Sequence, residues 1–378
     1  TNGSAPSRPA LDPISGTEDI AYEFLAKGGK YSRPFITLAV YDALSGGKCT
    51  SGGGAQHAAE LSDAICRAAM SIEVFHKASL VHDDIEDDDK FRYGDDTLHR
   101  KYGVPTAINV GDFMIGLGYR LISRESATLG ADVAADILDK LADAHMKLSE
   151  GQGAELLWRD SLDKQLQPID ALKIYALKTA PAFEAALFTG ARLAGPLDAY
   201  REPFTQFARH LGVAFQILND LKDWQGDDNN KLTAGGDVLG GRPTVLWALA
   251  LEGLNAEDRQ ELLSLAERSR QAAANSAGDN HHQNGHSNGH QAPSLSTASI
   301  VHRVRVLYEK AGVFEKAARL VDKYQDRAEA IADELEPEEL RRLFYYLVDT
   351  VLERQEASAA PPAVMVPTIA DGLPVVSP

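Results

Sequence analysis

Five aspartates and one glutamate fall within seven residues at Asp83-Asp84-Ile85-Glu86-Asp87-Asp88-Asp89, directly after an apolar run from Ile72 to Val81. Carboxylates crowded in this way repel one another, so a cation belongs among them. Asp83 and Asp87 are four residues apart, which puts both on one face of a helix. That arrangement suits Mg²⁺, a hard ion that takes few protein oxygens and completes its octahedron with water and phosphate. A solvated acidic helix end would carry the same residues and bind nothing. This stretch alone leaves both readings open.

A second cluster, Asn219-Asp220-Leu221-Lys222-Asp223, follows another apolar run, and Asn219, Asp223 and Asp227 repeat the spacing of four. Two such ends facing each other in a helical bundle could clamp a diphosphate through bridging Mg²⁺. Asn219 can offer that ion a carbonyl oxygen but no charge. A diphosphate also calls for cations. Lys30 and Arg33 lie in Gly28-Gly29-Lys30-Tyr31-Ser32-Arg33-Pro34, and His76 precedes Asp83 by seven residues, two turns of the same helix face. Arg92, Lys178 (followed by Thr179), Lys231 and Arg242 complete the set. Each alone reads as a surface base, and His76 as a core histidine; their recurrence beside the two clusters gives them weight.

The elements that must hold these groups are helices. Apolar residues recur at three- and four-residue spacing over 35–44, 55–81, 106–122, 131–148, 169–193, 204–224, 243–251, 256–271, 297–309, 313–335 and 337–353. Strand alternation and hairpin signals are absent, so the expected class is all-α. Residues 1–16 read as a flexible linker, 17–355 as one all-α domain and 356–378 as a flexible tail. Within the domain, 271–294 has no apolar face and is expected to be a disordered insert. It carries His281, His282, His286 and His290 among Gly and Asn neighbours that disfavour the helix a metal site would need.

Composition narrows the function. The chain of 378 residues is 44% hydrophobic and 25% charged, the profile of a globular protein with a sizeable core. A net charge of −17 argues against nucleic acid, which is gripped by clustered Lys and Arg. Cys49 and Cys66 are too few for a disulfide framework, so a reducing, cytoplasmic setting is expected. No run is long and apolar enough for a membrane span, and no signal peptide is visible. The start at Thr1 reads as part of a longer chain.

With both clusters and the basic groups in place, the sequence resembles the trans-isoprenyl diphosphate synthases, over roughly residues 17–353. The landmarks are Asp83-Asp84-Ile85-Glu86-Asp87, Phe215-Gln216 before Asn219-Asp220-Leu221-Lys222-Asp223, Gly151-Gln152-Gly153, Lys178-Thr179 and Gly241-Arg242-Pro243-Thr244. The resemblance implies the isoprenoid synthase fold, a helical bundle with a central cavity. It also implies Mg²⁺-dependent head-to-tail condensation of an allylic diphosphate with isopentenyl diphosphate, with three ions per site. By the same carry-over, Asp83, Asp84, Asp87, Asn219, Asp220 and Asp223 hold the metals, with Arg92, Lys178, Lys231 and Arg242 on the diphosphate. Lys30, Arg33 and His76 match the isopentenyl diphosphate site; Thr179, Gln216 and the Lys178 carbonyl face the allylic cation.

Two positions depart from the family pattern. Arg92-Tyr93-Gly94 stands where Arg-Arg-Gly is usual, so either isopentenyl diphosphate binds more weakly or Tyr93 hydrogen-bonds a phosphate in place of the second arginine. Asn219 replaces an aspartate. Chain length is expected to depend on Ala78, Ser79 and Phe75, small residues nearest Asp83 and a bulky stop beyond them, giving a C20 geranylgeranyl product with C25 as the alternative. A class I terpene cyclase and a non-catalytic partner subunit are the rival readings. Further similarity to the prenyltransferase domain of fungal chimeric terpene synthases implies a preceding cyclase domain and a homo-oligomer built from dimers.

Overall fold

The computed structural model describes residues 12–49, 54, 57, 60–195, 197–225, 235–278 and 296–352. In chain order the helices are α1 (Gly16–Ala26), α2 (Ser32–Leu44), α3 (Asp63–Glu86), α4 (Leu98–Tyr102), α5 (Val104–Ser123), α6 (Ser126–Leu129), α7 (Ala131–Asp160) and α8 (Pro168–Ala194). They continue as α9 (Arg201–Gln225), α10 (Gly236–Leu239), α11 (Val245–Gly253), α12 (Ala256–Gly278), α13 (Thr297–Lys310), α14 (Val313–Asp333) and α15 (Glu338–Val351). The all-α expectation holds. Among the described residues the one departure is a two-residue antiparallel pair, Phe91↔Asp96 and Arg92↔Asp95. Its turn places Tyr93 at φ 55 and Gly94 at φ 78, the left-handed conformation that a tight primed hairpin turn requires.

The long helices bury apolar stripes in three connected regions. Ile36, Val40, Leu187, Phe204, Phe207 and Phe344 anchor the first, where α2, α7, α8, α9 and α15 meet. Trp224, Trp247, Leu262, Val304 and Tyr308 anchor the second, under α9 and α11 to α14. Ile20, Phe24, Ala78, Val81 and Met114 join α1, α3 and α5 in the third. Burial of this kind, at about 25 cal/mol per Å² of apolar surface, drives the assembly.

Several boundaries differ from those expected. The helix expected over 55–81 begins at Asp63, where the Ser62 hydroxyl accepts from the Ile65 N–H at 3.4 Å, and runs on to Glu86. The α7 helix runs past 148 to Asp160, straight through Gly151 and Gly153. The reason is tertiary: a Cβ on Gly151 would lie 2.7 Å from the Lys178 nitrogen, so the glycine marks where α7 meets α8 backbone to backbone rather than where it ends. The α12 helix extends to Gly278, which makes 271–278 helical and corrects the expected insert in that part. The remaining insert residues, with His281, His282, His286 and His290, lie outside the described residues, as does the tail. Pro181 lies inside α8.

Candidate active site

Helix α3 delivers the first acidic cluster at its C-terminal end. Asp83 is partly buried, and burial together with neighbouring Glu86 and Asp87 raises its carboxyl to about 7, a rise that Lys178 and Arg92 only partly oppose. Asp87 accepts from Arg159 Nη1 at 3.2 Å and from Arg242 Nη2 at 2.8 Å. On α7, Gln152 Nε2 donates to Glu86 at 2.6 Å, and Glu155 receives Lys178 Nζ at 2.7 Å. On the far side, Arg242 also reaches Asp237 Oδ1 at 3.5 Å, and the Asp237 N–H donates to Asp223 Oδ2 at 3.1 Å. The run Asp87–Arg242–Asp237–Asp223 therefore ties the two acidic clusters together across the bundle.

Not every expected residue points into this space. Asp84 is one helical position on from Asp83, about 100° around the axis, and faces the hairpin. Its Oδ1 accepts from Arg92 Nε at 2.9 Å and also from Arg92 Nη2. The pair ties up the guanidinium expected on the diphosphate and leaves the buried Asp84 Oδ2 without a hydrogen-bond partner. Asp220 is buried and accepts from the Tyr175 hydroxyl, which in turn accepts from the Val245 N–H at 2.7 Å. Burial and neighbouring Asp237 hold the Asp220 carboxyl well above the usual range. Asn219 is partly exposed. Lys231 lies outside the described residues.

Among the described residues no three acidic, histidine or cysteine side chains already stand at metal-holding spacing. The donor set nevertheless fits a hard cation. It is all oxygen, and burial together with the neighbouring carboxylates of Glu86 and Asp87 raises Asp83. Arg159 and Arg242 balance Asp87 in the present arrangement.

Thr179 and Gln216 meet across α8 and α9, with Gln216 Nε2 donating to the Thr179 hydroxyl at 2.5 Å. Arg33 and His76 come together further along α3. Burial, then Arg33, Lys77 and Arg92, push the His76 imidazole down to about 2, so it is neutral at any working pH. Lys30 is exposed on the loop before α2. Tyr93 packs its ring 6.1 Å from that of Phe24 and over the same loop.

Below the first cluster, the Phe75 ring lies edge-on to Tyr119 at 4.7 Å and 6.0 Å from His145. A Cβ on Gly118 would sit 2.8 Å from that ring, so only glycine on α5 leaves room for it. Ser79, one turn on, shares the Phe75 side of the helix. Ala78, three residues from Phe75, is fully buried in the cluster that holds Ile20 and Val81.

The sequence reading missed Tyr175, Arg159, Asp237 and Glu155. Glu155 and Arg159 are spaced by four on α7, the same signal that marked Asp83 and Asp87. Asp237 and Tyr175 carried no spacing signal.

Neutral His76 has a consequence for acid stability. Its pKa is about 6.5 in the unfolded chain and about 2 in the fold. The unfolded state alone binds that proton between these values, so stability falls as pH drops below 6.5. At pH 5 the loss is about 2 kcal/mol. Urea unfolding at pH 7 and pH 5 should show a smaller drop for His76→Gln than for the parent chain; equal drops would remove His76 as the cause.

Comparison with known proteins places this geometry. The polyprenyl synthetase family matches residues 16–278. The chain is 30% identical over 246 residues to a geranylgeranyl diphosphate synthase of Sulfolobus acidocaldarius, covering 65% of this chain and 69% of that protein. It is 25% identical over 332 residues to a short chain isoprenyl diphosphate synthase of Methanothermobacter thermautotrophicus, covering 88% of each. Among solved structures, a polyprenyl synthase from Caulobacter crescentus complexed with calcium and isoprenyl diphosphate superposes with a TM-score of 0.68 at 25% identity, covering 91% of this chain and 90% of that one.

Proposed function

We infer the chemistry from one premise: the chain belongs to the polyprenyl synthetase family. It is a trans-isoprenyl diphosphate synthase, elongating an allylic diphosphate with isopentenyl diphosphate. The observation that carries the reading is the link Asp87–Arg242–Asp237–Asp223, which sets cations and both acidic clusters around one space.

Asp83, Asp87, Asn219 and Asp223 are the side chains proposed to hold Mg²⁺, and three ions per site is the count proposed. Mg²⁺ held by these residues would supply positive charge to offset that of the departing diphosphate. Lys178 and Arg242 contribute to the same end, each exchanging a carboxylate partner for a phosphate oxygen. Lys30, Arg33 and neutral His76 bind isopentenyl diphosphate. The allylic C–O bond breaks with its electron pair leaving on the diphosphate, and the isopentenyl double bond then attacks the cation. The new bond forms at C4 of the isopentenyl unit and leaves a cation at C3, and a proton from C2 passes to the released diphosphate. Gln216 holds the Thr179 hydroxyl so that its oxygen faces the cation, and the apolar walls of α3, α5 and α8 keep out water that would quench it to an alcohol.

The geranylgeranyl length (C20) is proposed on the Phe75 stop with Tyr119 behind it, and C25 is the neighbouring length. Similarity to geranylgeranyl diphosphate synthases supports that choice, although a relative of Rhodobacter capsulatus, 33% identical, is an all-trans-nonaprenyl-diphosphate synthase. A preceding cyclase domain and dimer-based assembly belong to the same proposal. Among the described residues no helix is long and apolar enough to cross a membrane.

The test supplies dimethylallyl and isopentenyl diphosphates with Mg²⁺ or with excess chelator, and resolves products by chain length. A C20 diphosphate formed only with Mg²⁺ is expected. Equal product with chelator, or a hydrocarbon from geranylgeranyl diphosphate alone, would overturn the assignment.

A further inference from the structure

Lys77 follows His76 on α3, and its side chain is fully buried. Full burial is rare for lysine and calls for specific partners. Its ammonium donates to the Gly28 carbonyl at 2.8 Å, the Leu25 carbonyl at 3.3 Å, the Phe24 carbonyl at 3.5 Å and also the Lys27 carbonyl. These are the terminal carbonyls of α1 and the first of the loop that leaves it. α1 ends at Ala26 with Lys27 already extended; the Phe24 carbonyl accepts from the Lys27 N–H at 3.2 Å, and the carbonyls after it have no helical donors. A cation at this end also meets the negative pole of the helix dipole.

Three aromatic rings close around the same ammonium: Tyr93 at 4.8 Å, Tyr31 at 5.6 Å and Phe24 at 5.8 Å. The next residues of the loop lie on this assembly. Gly28 has φ 41, and a Cβ there would strike the Tyr93 ring at 2.5 Å. A Cβ on Gly29 would stand 3.5 Å from Glu73 Oε1 and 3.7 Å from Lys77 Cε. The charges facing Lys77 are the Glu73 carboxylate one turn earlier, which attracts it, and Arg33 beside Glu73. Immediately beyond Gly29 come Lys30 and Arg33.

We propose that Lys77, caged by Tyr93, is the positioning residue that fixes the Gly28-Gly29-Lys30 loop and so presents Lys30 and Arg33 to the diphosphate of the isopentenyl substrate. This gives Tyr93 a task at the position where the family carries a second arginine. The aromatic ring holds the cation that holds the loop, so order in the loop takes the place of one direct phosphate contact. The idea rests on the synthase reading for its substrate, whereas the holding of the loop does not.

The test has two arms. Lys77→Met keeps the aliphatic stem and removes the ammonium. Hydrogen exchange of the amides at 24–27, which needs no turnover, should speed up by about tenfold or more. In steady-state assays KM for isopentenyl diphosphate should rise about tenfold while KM for the allylic diphosphate stays within about twofold. Lys77→Arg, which restores a donor, should recover part of both losses. If Lys77→Met does not fold, Tyr93→Asn reads the same two quantities, since Asn tolerates the positive φ while removing the ring. Unchanged exchange overturns the proposal even when the chain is a working synthase; so does a rise in both KM values together. Faster exchange in a chain that turns over no isopentenyl diphosphate overturns the substrate role and, separately, the synthase assignment.

Discussion

Asp83→Asn is expected to abolish turnover while making the protein more stable. Asp83 is a partly buried carboxylate whose neighbours include Glu86 and Asp87. Without a cation such a group has lost its hydration and gained repulsion. The amide is nearly the same size and carries no charge, so the fold should gain about 1–2 kcal/mol. Catalysis should lose about a thousandfold or more in kcat/KM, because a principal Mg²⁺ ligand and its share of leaving-group neutralisation disappear together. Mg²⁺ with inorganic diphosphate should raise the melting temperature of the parent chain, as any ligand that binds only the folded state does, and should raise that of the variant far less. A variant that keeps a tenth of the parent activity, or that melts with the same Mg²⁺ response, would remove Asp83 from the metal set. The direction of the stability change is the sharper part, since loss of activity with loss of stability would describe simple misfolding.

Phe75→Ala is expected to shift the product from C20 to longer chains. The ring stands between Gly118 and Tyr119 on the face of α3 below Asp83, and it is the first bulky group along that line. Removing it opens a space one isoprene unit can enter, with Tyr119 next behind it. The expected main product is C25, extending further in Phe75→Ala/Tyr119→Ala. The truncation should cost about 2 kcal/mol, below the usual range for phenylalanine in a core because the ring is only partly buried. Product analysis by chain length, at matched Mg²⁺ and substrate ratio, checks it. An unchanged distribution in the double variant would place the stop elsewhere.

The parts of the site that could be read from the chain are those with a helical period. Asp83 and Asp87 share a face because they are four apart, and the structure puts both at the inner end of α3. The same arithmetic separates Asp84 from them, yet the run of aspartates masked it: adjacent acidic residues look alike in sequence and face opposite tasks in the fold. Lys77 was invisible for a related reason. A lysine beside a histidine on an amphipathic helix reads as solvated, and only the end of α1, brought in from fifty residues away, gives it carbonyls to bind. Tyr175 is similar, since its hydroxyl finds Asp220 and the Val245 N–H through tertiary packing alone. The Tyr93-Gly94 turn escaped notice because tyrosine seldom adopts positive φ. Apolar spacing marks α7 only to 148, while Gly151 beyond it serves a helix crossing that the spacing does not show. The all-α class was legible because eleven separate segments carried the same period, a pattern that local errors do not erase.

The proline inside α8 bears on the fate of the reactive intermediate. Pro181 has no N–H, so the carbonyl of Leu177 lacks the donor that every regular helix supplies four residues on. That carbonyl precedes Lys178 and Thr179 in the chain, and Gly151 lets α7 brace the backbone at the same point. An oxygen released from its ladder is a fixed electron-rich dipole that cannot be alkylated as readily as a carboxylate or an imidazole. Two residues before Thr179, which is proposed to face the cation, α8 thus carries one carbonyl outside its ladder.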